Sequence, residues 1–440
     1  MYEKKLIFIN VLSFLLIFLL FSCDPETGKP DNGGTETGQP GHPDGTNPGT
    51  DDSENPDPSK PIEYPQVDTQ AIDLDAIAVT EERLFKILQT IDPAVDAVKL
   101  YKTNITEDQI NSIRIDIQKE ILTGNEATDS EKYEKLFQWV TSNIKYGETY
   151  DDGTAVNNDP FEVYVKKKAI CQGYSNLLKV MCLTQEIPVV SANGFANMGG
   201  YMGHAWLYVY VDGQWKCSDP TNAATYDLKT DSSTDTFRPT SVELDLFEDD
   251  NFCYEYVDSH INVAKVKKSD KILTVPYSAG GFVINAFSPQ TALPAGIEEI
   301  VLGKNISSLS NGEETGGTLG LETNGKQVVK IHVDPENPKL ESWEGVIYKK
   351  GSSVPYFIPH QMTVLTLKPG QKTYGKDAGI KDRNNITEIV FPDDTAIIES
   401  WTVERCSDLK QVSVPQGARV DKDAFPAGVQ VMIREESGQV

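Results

Sequence analysis

Cys171, His204 and Asp219 are the residues of this 440-residue chain whose types and spacing suit nucleophilic chemistry. Each sits in the kind of local sequence such chemistry requires: AICQGYSNLLKVMC around the thiol, GHAWLYVYVDGQW at the imidazole and SDPTN at the carboxylate. A thiolate attacks a carbonyl carbon, an imidazole accepts and then returns a proton, and a carboxylate fixes the imidazole in one tautomer. If the three converge in space, they make an acyl-transfer or hydrolytic centre.

The elements that must position them can be read from the flanking residues. Cys171 follows Lys166, Lys167 and Lys168 and opens an apolar helical stretch marked by Tyr174, Leu177, Leu178, Met181 and Cys182. A thiol at a helix start lies near unpaired N–H groups and the positive end of the helix dipole, and the lysines add positive potential. Both effects favour the thiolate. The same position offers a backbone N–H to an oxyanion. Cys182, on the same helix among apolar neighbours, reads as core. His204 begins a strand that runs from Ala205 to Val211 and turns at Asp212-Gly213, a strong two-residue hairpin signal. That loop sets Val211 opposite Gln214 and therefore Trp206 opposite Asp219. His204 then shares a face with Asp219, one diagonal step away. A one-residue bulge would put them on opposite faces. Trp206 and Trp215 read first as sheet core.

Upstream, three apolar stripes at helical spacing predict three helices: Leu84, Ile87 and Leu88; Ile110, Ile113, Ile117 and Ile121; Tyr133, Leu136, Phe137, Val140 and Ile144. Asn104 with Thr106 before Glu107, and Thr128 or Asp129 before Glu131, are the expected N-cap regions.

Residues 1–22 read as an export signal, with Lys4 and Lys5 ahead of an apolar run from Leu6 to Phe21 that is short for a membrane span of ~20 residues. A plain secretory signal or an anchor helix is the alternative. Residues 23–65 are Pro, Gly, Asp, Thr and Asn with few apolar side chains, which predicts a flexible acidic tether. Five further cysteines, an odd number, leave at least one thiol without an intramolecular partner, and Cys171 is the candidate. No Cys/His cluster has metal-ligand spacing, so neither a metal nor a cofactor is expected. A formal charge of -26 excludes nucleic acid as a natural partner.

From about residue 276 to 440 the pattern changes to short strands, with apolar residues at i, i+3 and i+5. They occur at Ile297, Ile300 and Leu302; Val328, Ile331 and Val333; Met362, Leu365 and Leu367; Ile386, Ile389 and Phe391; and Leu409, Val412 and Val414. The last two copies repeat after about 23 residues, a leucine-rich-repeat spacing. They share Pro392 and Pro415, with Ile397 and Val420 expected in register. A generic small β-domain is the bland reading of the same pattern.

Four resemblances to known families follow. Leu20-Phe21-Ser22-Cys23 resembles a bacterial lipobox, which implies lipid on Cys23 and attachment to a membrane outside the cytoplasm. ICQGYSNLL, GHAWLYVYVDGQWKCSDPT and LFQWVTSNIKY resemble the transglutaminase-like superfamily over about residues 125 to 225. ITEIVFPDD, CSDLKQVSVP and KDAFPAG resemble BspA-type leucine-rich repeats, and HVDPENPKLESWEGVIYKKG resembles a segment found among them. The expected fold is therefore α+β: a papain-like core with N-terminal helices over 66–275, then a β-rich, irregular repeat domain over 276–440. The resemblance makes Cys171 the nucleophile, His204 the base and acid, and Asp219 the orienting carboxylate, with Tyr146, Gln172 and Trp206 as supporting candidates. It implies a thiol enzyme acting on protein or peptide amide bonds, as hydrolase or transamidase. The alternative is a surface binding protein whose repeats engage an envelope or host protein while the papain-like part is an inactive scaffold.

Overall fold

The computed structural model describes residues 61–97, 105–228, 236–243, 245–287, 293–309 and 319–435. The expected signal segment, Cys23 and all but the last five residues of the expected tether lie outside them. Two compact units divide the chain at Glu63 and Tyr64, and the second, Tyr64–Val440, holds everything below. Among the described residues no helix is long and apolar enough to cross a membrane.

Helices α1 (Glu81–Leu88), α2 (Pro93–Asp96), α3 (Glu107–Asp116) and α4 (Asp129–Asn143) come first. The expected stripes are their buried faces: Leu84, Ile87, Leu88, Ile110, Ile113, Ile117, Tyr133, Leu136 and Val140. Thr106 and Thr128 cap α3 and α4 in reciprocal boxes with Gln109 and Glu131, satisfying end N–H groups that the helices cannot. Asn104 lies outside the described residues. Strand β1 (Lys145–Tyr146) pairs in parallel with β2 (Lys168–Ala169), and between them α5 (Pro160–Lys166) starts on an Asp159 cap. Then α6 (Cys171–Leu183) begins at the thiol itself.

A five-stranded sheet faces this helix. It contains β3 (Val189–Asn197), β4 (Tyr201–Val211), β5 (Gln214–Asp219), β6 (Ala224–Asp227) and β7 (Phe237–Val242), in the order β6-β5-β4-β3-β7. Leu207, Val209 and Val211 pack on Leu177, Leu178 and Met181 of α6, while Trp206 and Tyr208 point to the opposite core. That split is the two-residue alternation of a strand buried on both sides. Lys179 is almost fully buried on α6 and reaches Glu243 at 2.8 Å, which ties the helix to the end of β7. The hairpin from β4 to β5 turns at Asp212-Gly213, both with positive φ (54° and 75°), as the two-residue turn demands.

Past residue 245 the chain adds β8 (Asp245–Glu248), β9 (Phe252–Val257) and β10 (His260–Val266), then stacks short strands in parallel. Leu273, Ile300 and Ile331 form one ladder, and Leu365, Ile389, Val412 and Val431 another. All fifteen apolar positions of the expected repeats are buried. Between the ladders Leu340–Trp343, Val346–Lys349 and Pro355–Phe357 make a small antiparallel sheet. One register differs from expectation. Ile397 pairs with Arg419 and Ile398 with Val420, so the second column of rungs slips by one residue. Ile398, fully buried, is the side chain that fixes this column, and Ile397 is only half-buried. The last rung, Gln430–Arg434, leaves Val431, Met432 and Ile433 exposed. Residue 275, the expected boundary, lies within a continuous core: one cluster runs from Leu84 through Trp206, Tyr254 and Val275 to Ile331 and Phe357.

Candidate active site

Cys171 is the first residue of α6, after Ile170 at the cap position. Gly173, two residues on, is required by packing. A Cβ there would stand 2.6 Å from the Ala169 Cβ and 2.9 Å from Val163 Cγ2, so only glycine lets the start of α6 press against α5 and β2. Ser175, one turn further, donates to the Ala205 carbonyl at 3.1 Å and holds the helix to the strand that carries His204.

His204 and Asp219 meet as their expected register requires. The pairing from Val211–Gln214 to Leu207–Ser218, continued by one step, sets Trp206 opposite Asp219. His204 Nε2 donates to Asp219 Oδ2 at 2.9 Å, with both residues buried. The other ring nitrogen is then the one left for the Cys171 thiol, with which His204 also hydrogen-bonds. Burial opposes a charged imidazole, yet the bond to Asp219, the bond to Cys171 and their charges outweigh it and raise the His204 pKa to about 9. Burial likewise opposes ionised Asp219, but His204 and the Asn222 amide hold its carboxyl below the usual range. Asn222 Nδ2 donates to Asp219 Oδ2 at 2.7 Å, and the Thr221 and Asn222 N–H groups donate to Oδ1 at 3.1 and 3.3 Å.

The supporting candidates part ways. Trp206 is fully buried and its ring stacks near that of His204, with centroids 6.0 Å apart and planes 19° apart, so it steadies the imidazole from the core side. Tyr146 is 59% exposed; partial burial raises its phenol pKa first, and the charge of nearby Cys171 raises it further. Gln172 donates to Asn176 at 2.8 Å, and Asn176 in turn donates to the Asn158 carbonyl. The three lysines serve other partners: Lys166 pairs with Glu162, Lys167 lies over the Trp139 and Tyr164 rings, and Lys168 pairs with Asp151. None of the five described cysteines is in a disulfide, and burial pushes the thiols of Cys182 and Cys217 up.

Two site residues went unnamed in the sequence. Asn222 lies inside the SDPTN motif, so it was in view but had no role. Phe237, which packs on His204 and Trp206, comes from β7 with no local signal to mark it.

Residues 116–220 match the family model of the transglutaminase-like superfamily, and this part of the chain is a transglutaminase-like domain. The chain is similar to human (Homo sapiens) kyphoscoliosis peptidase, 27% identical over 108 residues, which cover 21% of this chain and 16% of that protein. The chain thus spans under a fifth of that relative. Among solved structures, a candidate cysteine protease from Cytophaga hutchinsonii aligns at 15% identity and TM-score 0.23, covering 44% of this chain and 67% of its own. A leucine-rich repeat protein from Eubacterium ventriosum aligns at 15% identity and TM-score 0.19, covering 35% and 59%.

Proposed function

We propose that this chain is a thiol enzyme that acts on amide bonds of proteins or peptides through a Cys171 thioester. The observation that carries the reading is the buried series Cys171–His204–Asp219, with one imidazole bonded to both the thiol and the carboxylate. Cys171 sulfur, its proton already held by His204, attacks the carbonyl carbon. The carbonyl oxygen becomes an oxyanion, for which the Cys171 N–H, at the start of α6, is a donor in the first turn. His204 then protonates the departing amine, which leaves a thioester. Water resolves it to an acid, or a second amine resolves it to a new amide; His204 takes the proton from either. Asp219 keeps Nε2 protonated throughout, so the nitrogen facing the thiol is the one that shuttles.

Iodoacetamide at neutral pH tests this. Cys171 should be alkylated at least about tenfold faster than buried Cys182, and His204→Ala should abolish the difference. Labelling of Cys171 no faster than that of Cys182 would sink the enzyme and leave the repeats as the functional part. The extracytoplasmic, lipid-anchored placement belongs to the same proposal and rests on the Leu20–Cys23 motif. Radiolabelled palmitate should enter the wild-type chain in a bacterial host and not Cys23→Ala; equal incorporation rules the anchor out.

A further inference from the structure

Five of the large apolar side chains left exposed among the described residues lie on the elements that carry the triad or on their hairpin: Tyr146, Phe195, Met198, Tyr201 and Met202. Four of them belong to the tip of the β3–β4 hairpin, beyond the pair Gly194–His204. Solvent-facing apolar clusters of this kind mark contact surfaces. Met202 lies two residues before His204 on the same strand, hence on the same face, and is 52% exposed. Met198 places its sulfur 3.6 Å from the Asn222 amide nitrogen that also holds Asp219. Tyr146 is exposed on β1, whose partner strand β2 leads directly into Cys171, and it lies near enough to feel that residue's charge. These three side chains carry no charge, two are methionines that adapt to varied apolar shapes, and the chain as a whole bears -26, which disfavours acidic peptides.

We propose that Met198, Met202 and Tyr146 form the acyl-donor subsite, which selects peptides with a bulky apolar side chain beside the attacked carbonyl. The inference rests on the thiol-enzyme reading above and gives that enzyme a substrate class. Methionine at both hairpin positions makes the subsite broad in shape and strict in polarity.

Peptidyl chloromethyl ketones test it, because the sulfur of Cys171, its proton held by His204, displaces chloride, and the side chain beside the ketone occupies the subsite. Rates are taken relative to iodoacetamide, which has no side chain to place. Leu or Phe beside the ketone should inactivate the full chain about tenfold or more faster than Glu, the scale of discrimination an apolar pocket supplies. The double variant Met198→Ala, Met202→Ala should erase most of that preference, and Met202→Leu should keep it. Equal rates for Leu and Glu probes, or a preference that survives the double variant, overturns the subsite while the enzyme stands. A wild-type chain that iodoacetamide fails to label at Cys171 overturns both.

Discussion

His204 stands between a carboxylate and a thiol, and this sets the pH range of the site. Its conjugate acid must protonate the departing amine, so activity should fall as pH rises through about 9. Asp219→Asn removes the main group holding that pKa up against burial. The basic limb of the pH–rate profile should move down towards about 6.5, and the rate should drop by roughly a hundredfold or more. A basic limb left in place would mean that Asp219 does not tune the ring. The same linkage acts on stability. Because the folded pKa of His204 is raised, its contribution is complete below about 6.5 and is lost as pH climbs through about 9. The triad was legible because each member sits in its own local motif and the turn fixed the register between two of them. Phe237 was not, since it reaches His204 from a strand far along the chain.

Strand β3 carries the glycine that lets the sheet close behind the imidazole. Gly194 pairs with His204 on one side and Pro239 on the other, where β7 shifts register, and a Cβ there would run into the Arg238 carbonyl. Since the obstacle is backbone, Gly194→Ala must push β7 away and loosen Phe237 against the His204 ring. The expected cost is about 1–3 kcal/mol in urea unfolding, with a lower iodoacetamide rate at Cys171. Unchanged stability would show that β7 gives way freely. Helices with clean apolar stripes and threonine boxes were readable from their periodicity, as were the repeat rungs. The helix Pro160–Lys166 was not, because its seven residues offer barely two turns of pattern and only the Asp159-Pro160 start to announce it. The one-residue slip at Ile398 escaped for a related reason: a two-residue rung has no period to fix its phase.

At the scale of the whole second unit, the sheet behind His204 and the first repeat ladder share one core. Trp206 and Tyr208 lie in the same apolar cluster as Ile300, Ile331 and Phe357. Composition changes near residue 275, yet burial does not, because the apolar cluster on the outer face of that sheet continues through β9 and β10 into the ladder. A chain running from Tyr64 to Val275 would lose the ladder's share of that cluster and should fail to unfold cooperatively, whereas the full chain should keep cooperative unfolding through this shared core. Calorimetry decides: an independent cooperative transition for the shorter chain would mean that the core is not shared in any energetic sense. The sequence could not announce this union, since an apolar residue does not state which neighbour will cover it. The far end of the second ladder behaves differently. Its last rung, with Val431, Met432 and Ile433 turned to solvent, is built from its own turn and its own few apolar positions. A rung at this end can therefore be changed without disturbing the packing around Cys171.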